Sequence, residues 1–161
     1  MNYDEISKQT LAVVKSMEKA LMAKSNDMDK YFHKDFRWMG NQGCGTKQNL
    51  KEFRNNWQLP LRAAFSDRVY KTDKFLVDGE WASCFGYIDA IHSGEFMGIA
   101  PTNKRVKIHY TDFWEVKDGL ITDNWVTVDF PSILAQLGVD VFNGQGWEVF
   151  DRGELEPPKP N

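Results

Sequence analysis

Apolar residues recur at three- and four-residue steps at the start of the chain. Ile6, Val13, Val14, Met17 and Leu21 share one face between about Tyr3 and Lys24, which predicts an amphipathic helix. Ser25 to Asp27 interrupt it. A short second helix is expected next, with Met28, Tyr31 and Phe32 on one side and Asp27 and Asp29 at its positive N-terminal end. Phe36 to Met39 reads as a brief strand, and Gly40, Gly43 and Gly45 mark a loop. Thr46 is placed to cap a third helix, in which Leu50, Phe53 and Trp57 share a face and which Pro60 closes.

From Asp67 the period changes from helical to alternating. Asp78-Gly79 and Asp118-Gly119 each stand between alternating stretches, a strong local signal for a β-hairpin. Four long antiparallel strands follow, at roughly 67 to 77, 80 to 93, 104 to 117 and 120 to 129. Gly94, Gly98 and Pro101 lie in the connection between the hairpins. Asp129 is placed to cap a last helix carrying Ile133, Leu134 and Leu137, and Gly138 ends it. Helices followed by a strongly curved antiparallel sheet make an α+β fold with helices on one sheet face. Such a sheet leaves a cone, and whether the cone is filled or hollow decides between a core and a pocket.

Composition narrows the choice of partners. At 161 residues the chain suits one domain, taken here as 1–154 with a loose tail over 155–161 rich in proline. Lys and Arg number 20 against 23 Asp and Glu, so the formal charge of 20 − 23 = −3 argues against nucleic acid. No apolar run is long enough to span a bilayer, and Met1 to Thr10 is too polar for a signal peptide, so a cytoplasmic protein without a membrane partner is expected. Cys44 and Cys84 have no metal-ligand spacing and are expected to be unpaired thiols; no metal site is indicated. Aromatic residues make up 14%, with 11 Phe and 6 Trp, enough to fill a wide core or to line a hollow.

One strand carries a chemical anomaly. Val106, Ile108, Tyr110, Asp112, Trp114 and Val116 share a face that is apolar except for Asp112. Burial raises a carboxyl pKa and prepares it for proton transfer near neutrality, unless a cation or several donors hold it ionised. Asp112 is therefore either an acid/base or a structural carboxylate bonded to Arg, Trp or backbone N–H groups. On the next strand Thr122, Asn124, Val126 and Val128 share a face opposite Ile121, Asp123, Trp125 and Thr127. Asn124 is either an amide donor to an oxyanion beside Asp112 or a tie between sheet and helix.

His92 ends a strand just before the glycine-rich connection and is expected at a pocket rim, as an acid or base. His33 is expected at the end of the second helix, and His109 on the outer sheet face. Trp38 is placed to cover a cavity mouth. Trp57, Phe53 and Phe65 are expected to be core. An enclosed ring-lined void of about 300 Å³ or more favours a small-molecule site, whereas a filled cone favours assembly.

Three stretches carry a resemblance: 31–38 (Tyr31-Phe32-His33-Lys34-Asp35-Phe36-Arg37-Trp38), 91–102 (with His92, Gly94, Phe96, Gly98, Pro101 and Thr102), and 118–129 together with 136–140. The chain resembles the SnoaL-like polyketide cyclases, and their ester cyclase branch, within the nuclear-transport-factor-2-like superfamily. The resemblance implies an NTF2-like α+β cone enclosing a hydrophobic pocket, usually in a homodimer. It implies a cofactor-free site in which a pocket carboxylate moves protons during aldol closure of a polyketide ester. That carboxylate is expected just after the last-strand Trp, where this chain reads Asn124-Trp125-Val126. The departure tells against polyketide cyclisation itself, and Asp112 falls on another position that faces the pocket in these folds.

Two readings follow. In the first, the protein is a lyase, isomerase or hydrolase acting on a hydrophobic oxygenated small molecule. Asp112 is then the acid/base, His92 and Asn124 orient or polarise, and Trp38, Tyr110, Trp114 and Val126 are walls in contact with substrate. In the second, it is a non-catalytic binding or dimerisation domain. The homodimer is expected through the sheet, with Lys107, His109, Phe113 and Glu115 on the outer face.

Overall fold

Helix α1 (Tyr3–Met22) begins with a reciprocal cap, in which Asn2 Oδ1 accepts from the Glu5 N–H and Glu5 accepts from the Asn2 N–H. Thr10, Val14 and Met17 form its buried stripe. The structure is a computed structural model that describes residues 1–25 and 27–161. Within the break expected over Ser25 to Asp27, Asn26 lies outside the described residues.

The second helix is corrected to one 3-10 turn, Asp29–Tyr31, after which β1 (Phe32–Gly40) starts at once. Phe32, Phe36 and Trp38 bury themselves from this strand, so His33 lies in a strand and not at a helix end. Thr46 is likewise not a cap: Thr46–Lys47 is a short β2 paired with β1, and Asn49 caps α2 (Leu50–Phe53) by accepting from the Glu52 N–H. A π-helical turn, Arg54–Gln58, joins α2 to α3 (Leu59–Ala64). Pro60 falls in the first turn of α3, where a helix makes no use of the missing N–H, so the helix runs on to Ala64.

The four predicted long strands are present as β3 (Phe65–Asp78), β4 (Trp81–His92), β5 (Arg105–Lys117) and β6 (Leu120–Val128). The sheet order is β2-β1-β6-β5-β4-β3. It is antiparallel except between β1 and β6, which run parallel. Two irregularities reset which side chains face inward. One between Thr72 and Lys74 lets Arg68, Tyr70 and Thr72 and then Phe75 and Val77 all turn toward the helices. The other, between Glu115 and Val116, puts Ile121 opposite Val116 and buries it, although alternation had set it outside with Trp125.

Helix α4 (Phe130–Gln136) starts as expected at Asp129, whose carboxylate accepts from the Ser132 N–H, and Gly138 follows it with φ 91°. Its Gln136 amide donates to the Lys107 carbonyl and accepts from the Lys107 N–H, covering β5 where β6 no longer pairs with it. A last short helix, α5 (Glu148–Asp151), buries Val149. Among the described residues no helix is long and apolar enough to cross a membrane.

Candidate functional site

The inner face of β4 carries Ala82, Cys84, Gly86, Ile88 and Ala90, mostly small residues. Space therefore remains above it for rings that lean in from both sides. Trp38 from β1 stacks on Trp57 from the π-turn, with centroids 4.9 Å apart, and Phe75 stacks on Trp114 at 6.4 Å. Between these groups lies a cavity of about 80 Å³, bordered by Met17 of α1, by Tyr70 of β3, and by Tyr110, Asp112 and Trp114 of β5. It is well below the 300 Å³ expected of a small-molecule site, because Trp57, Leu61 and Tyr70 reach into it. A smaller void of about 40 Å³ shares those three residues and extends to Arg62 and Arg68.

Asp112 lines the cavity among rings, and no cation pairs with it among the described residues. Asn124 Nδ2 donates to its Oδ1 at 3.0 Å. Burial pushes the Asp112 carboxyl up to about 7, the Asn124 hydrogen bond pulls it down, and the nearby Glu18 raises it further. Asn124 is 6% exposed and its second amide hydrogen goes to the Phe113 carbonyl at 3.1 Å. Both hydrogens are thus directed to acceptors of the sheet, and Asn124 holds Asp112. Trp38, Tyr110, Trp114 and Val126 all line the cavity, though Trp38 is buried in its wall and does not cover a mouth. Trp57 and Phe53 line it as well, beyond the core role expected of them; Phe65 does not.

His92 is also placed differently from expectation. It is 0% exposed and lies apart from the cavity, in a closed nest with Phe65 and Phe96. Its Nδ1 accepts from the Thr102 N–H at 3.3 Å and lies 3.0 Å from the Thr102 hydroxyl, while Nε2 has no partner among the described residues. The rest of the 91–102 stretch serves the same closure. Ser93 and Gly94 N–H groups donate to the Ala64 carbonyl, and a Cβ at Gly94 would sit 2.0 Å from the Ala63 oxygen. His109 lies on the outer face against Tyr87, as expected.

Sequence alternation missed Tyr70, Glu18 and Thr72. In β3 Val69 is exposed while Arg68, Tyr70 and Thr72 turn inward, a facing that the alternation of polar and apolar residues there does not signal. Cys44 and Cys84 are free and buried, with burial pushing the Cys44 thiol up to about 12. Among the described residues no three His, Cys, Asp or Glu side chains are grouped to hold a metal ion.

The SnoaL-like polyketide cyclase family profile matches residues 12–137. The chain belongs to that family. Nogalonic acid methyl ester cyclase of Streptomyces nogalater is 26% identical over 127 residues, 77% of this chain and 92% of the relative. IdmH of Streptomyces antibioticus superposes with a TM-score of 0.72 at 21% identity, covering 81% of this chain and 99% of that one. An NTF2-like protein of Burkholderia thailandensis superposes at 0.68 with 16% identity, covering 85% and 98%. The fold of this SnoaL-like protein is accordingly the NTF2-like α+β cone. In its sheet register Val126 pairs directly with Asp112.

Proposed function

We propose that this SnoaL-like protein is an acid/base enzyme that needs no cofactor and acts on a hydrophobic oxygenated small molecule, with Asp112 moving the proton. The observation that carries the reading is the pairing of Asp112 with Val126 across β5 and β6. Cross-strand partners have Cβ atoms about 5 Å apart on the same face. A carboxylate at Asp112 therefore enters the same cavity as one placed just after Trp125 would. With its pKa raised to about 7, Asp112 is available as a base and as an acid near neutrality.

The step common to the family's chemistry is removal of a proton from carbon next to a carbonyl. Ionised Asp112 takes that proton, the C–H electron pair moves into the C–C bond, and the carbonyl π pair moves onto oxygen to give an enolate. When the enolate carbon attacks a second carbonyl in the same molecule, one C–C bond forms and the new alkoxide takes the proton back from Asp112. Asn124 keeps the carboxyl aimed through its Nδ2 bond. Admission of a ligand larger than the resting cavity requires Trp57, Leu61 and Tyr70 to swing aside, and the π-turn beneath Trp57 is the kind of irregular helix that permits such movement.

The test is hydrogen–deuterium exchange in D2O, followed by NMR, at the carbon next to the carbonyl in two probes: nogalonic acid methyl ester and the small ketone acetophenone. The protein should accelerate exchange with a rate that rises through about pH 7 as Asp112 ionises. Asp112→Asn should abolish the acceleration, and an unchanged rate in that variant would end the assignment.

We also infer a homodimer through the outer sheet face. Leu76, Ser83, Phe113 and Trp125 form one cross-strand row, and Leu76, Phe113 and Trp125 are each about half exposed. Trp81 and Phe85 flank that row, so the exposed apolar surface is contiguous. Phe113→Glu should convert the species seen by gel filtration to a monomer; an unaltered elution volume excludes this face.

A further inference from the structure

Gly86 lies between Thr72 and Tyr110 in the sheet, with β3, β4 and β5 contributing one residue each to a single row. A Cβ at position 86 would fall 2.3 Å from the Lys71 carbonyl oxygen and 2.9 Å from Thr72 Cα, so the row closes only over glycine. With no side chain between them, the Tyr110 hydroxyl reaches Thr72 Oγ1 at 2.9 Å. From above, Glu18 of α1 brings both carboxyl oxygens to within 3.0 Å of the same Thr72 hydroxyl. Glu18, Thr72 and Tyr110 thus form a chain from a half-buried carboxyl to a ring that lines the cavity.

A hydroxyl has one proton to donate, so the chain has two senses. When Glu18 is ionised, Thr72 donates to it and accepts from Tyr110, whose oxygen then offers only lone pairs. When Glu18 is protonated it donates to Thr72, Thr72 donates to Tyr110, and the phenol proton is free for a ligand. We propose that Glu18 is a positioning residue which, through the Thr72 hydroxyl, decides whether Tyr110 presents a donor or an acceptor to a ligand beside Asp112. The inference rests on the acid/base reading of Asp112 and supplies what that reading lacks, a donor for the enolate oxygen, since both Asn124 amide hydrogens are occupied. In the productive state Asp112 is ionised as base and Glu18 is protonated so that Tyr110 donates, so the exchange rate that rises as Asp112 ionises should fall again where Glu18 ionises.

Burial raises the Glu18 carboxyl above its ordinary value. The Thr72 hydrogen bond favours the ionised form, as does Lys15 on its own helix, which lies over the Phe75 ring. Burial opposes it more strongly, and Asp112, Cys84, Tyr70 and Tyr110 on the three strands below supply no positive charge.

The test is carbon-13 NMR on ligand-free protein, following the Glu18 and Asp112 carboxyls and Tyr110 Cζ across pH. Tyr110 Cζ should show a step at the Glu18 midpoint. Thr72→Val, which leaves the carboxyl in place, should lose that step, and Thr72→Ser should keep it; a step that survives in Thr72→Val shows only a through-space field and overturns the proposal. Should Thr72→Val fail to fold, Tyr110→Phe decides. It keeps the ring over Gly86 but ends the chain, so the Glu18 midpoint should move up as its charge-assisted bond weakens. An unmoved midpoint overturns the proposal. Because no substrate is present, this result is independent of whether Asp112→Asn abolishes exchange.

Discussion

Two titratable side chains lie among rings on the inner face of this sheet, half-buried Asp112 toward one end and fully buried His92 at the other. Both have Phe, Tyr or Trp beside them, and among the described residues each has one side-chain hydrogen-bond partner, Asn124 for Asp112 and Thr102 for His92. They differ in what lies beside them. Asp112 borders a cavity because β4 opposite it is built of Cys84 and Gly86. His92 does not line that cavity; Phe65 and Phe96 pack on it, and the loop over 93–102 folds back through Thr102. Burial among aromatic residues is thus only half of an acid/base site; the other half is empty space for a second molecule.

The contrast is open to four tests, taken from the largest effect to the smallest. Asp112→Asn should lower the rate of ketone exchange by on the order of 10²- to 10⁴-fold, the usual worth of a positioned general base, whereas His92→Leu should leave the rate per folded molecule unchanged. NMR exchange assays compare the two directly, and a loss of the same size in His92→Leu would erase the distinction.

The second test is thermodynamic. Folded Asp112 holds its proton to about pH 7, and the unfolded chain releases it near 3.8. Between those values the native state binds the extra proton, so stability falls as pH rises from about 4 to 7 and is level above. Asp112→Asn removes that loss and should gain up to about 4 kcal/mol over the parent at pH 8 while matching it at pH 4, by urea unfolding at both values. His92→Leu should instead lose about 1–3 kcal/mol, because the Thr102 N–H is left without its acceptor. Smallest of all, Thr102→Val keeps the ring packing and the N–H contact and should cost about 1 kcal/mol, readable as a shift in the urea midpoint.

One of the three stretches that carry the family resemblance lies on the His92 side of this comparison. In the run from His92 to Thr102 the glycines, His and Thr make a closed loop that packs on the end of α3. Close backbone approach, as at Gly94 against Ala63, constrains residue type as strictly as chemistry does, so a specific motif need not mark a site. The acid/base role proposed for Asp112 belongs to strands whose sequence is mostly plain alternation.

Alternation alone was enough to find both hairpins, the inner face of β5 and the anomaly of Asp112, because a strand's period of two assigns each residue to a face. It was enough for α1 and the Asp129 cap as well, since those depend on neighbours within one turn. It failed where a strand slips by one residue: the irregularities near Thr72 and Glu115 turn later residues to the other face, which hid Ile121. It failed again for His33 and Thr46, where pairing with β6 and with β1 overrode a helical pattern. The neighbours of Asp112 were beyond it altogether. Glu18 stands 94 positions before Asp112, Thr72 reaches Tyr110 only across a glycine on a third strand, and the size of the cavity depends on how far Trp57, Leu61 and Tyr70 lean inward. Local spacing determines which face a side chain takes; which partners meet there, and how much space they leave, is decided only when the sheet curls and the helices close over it.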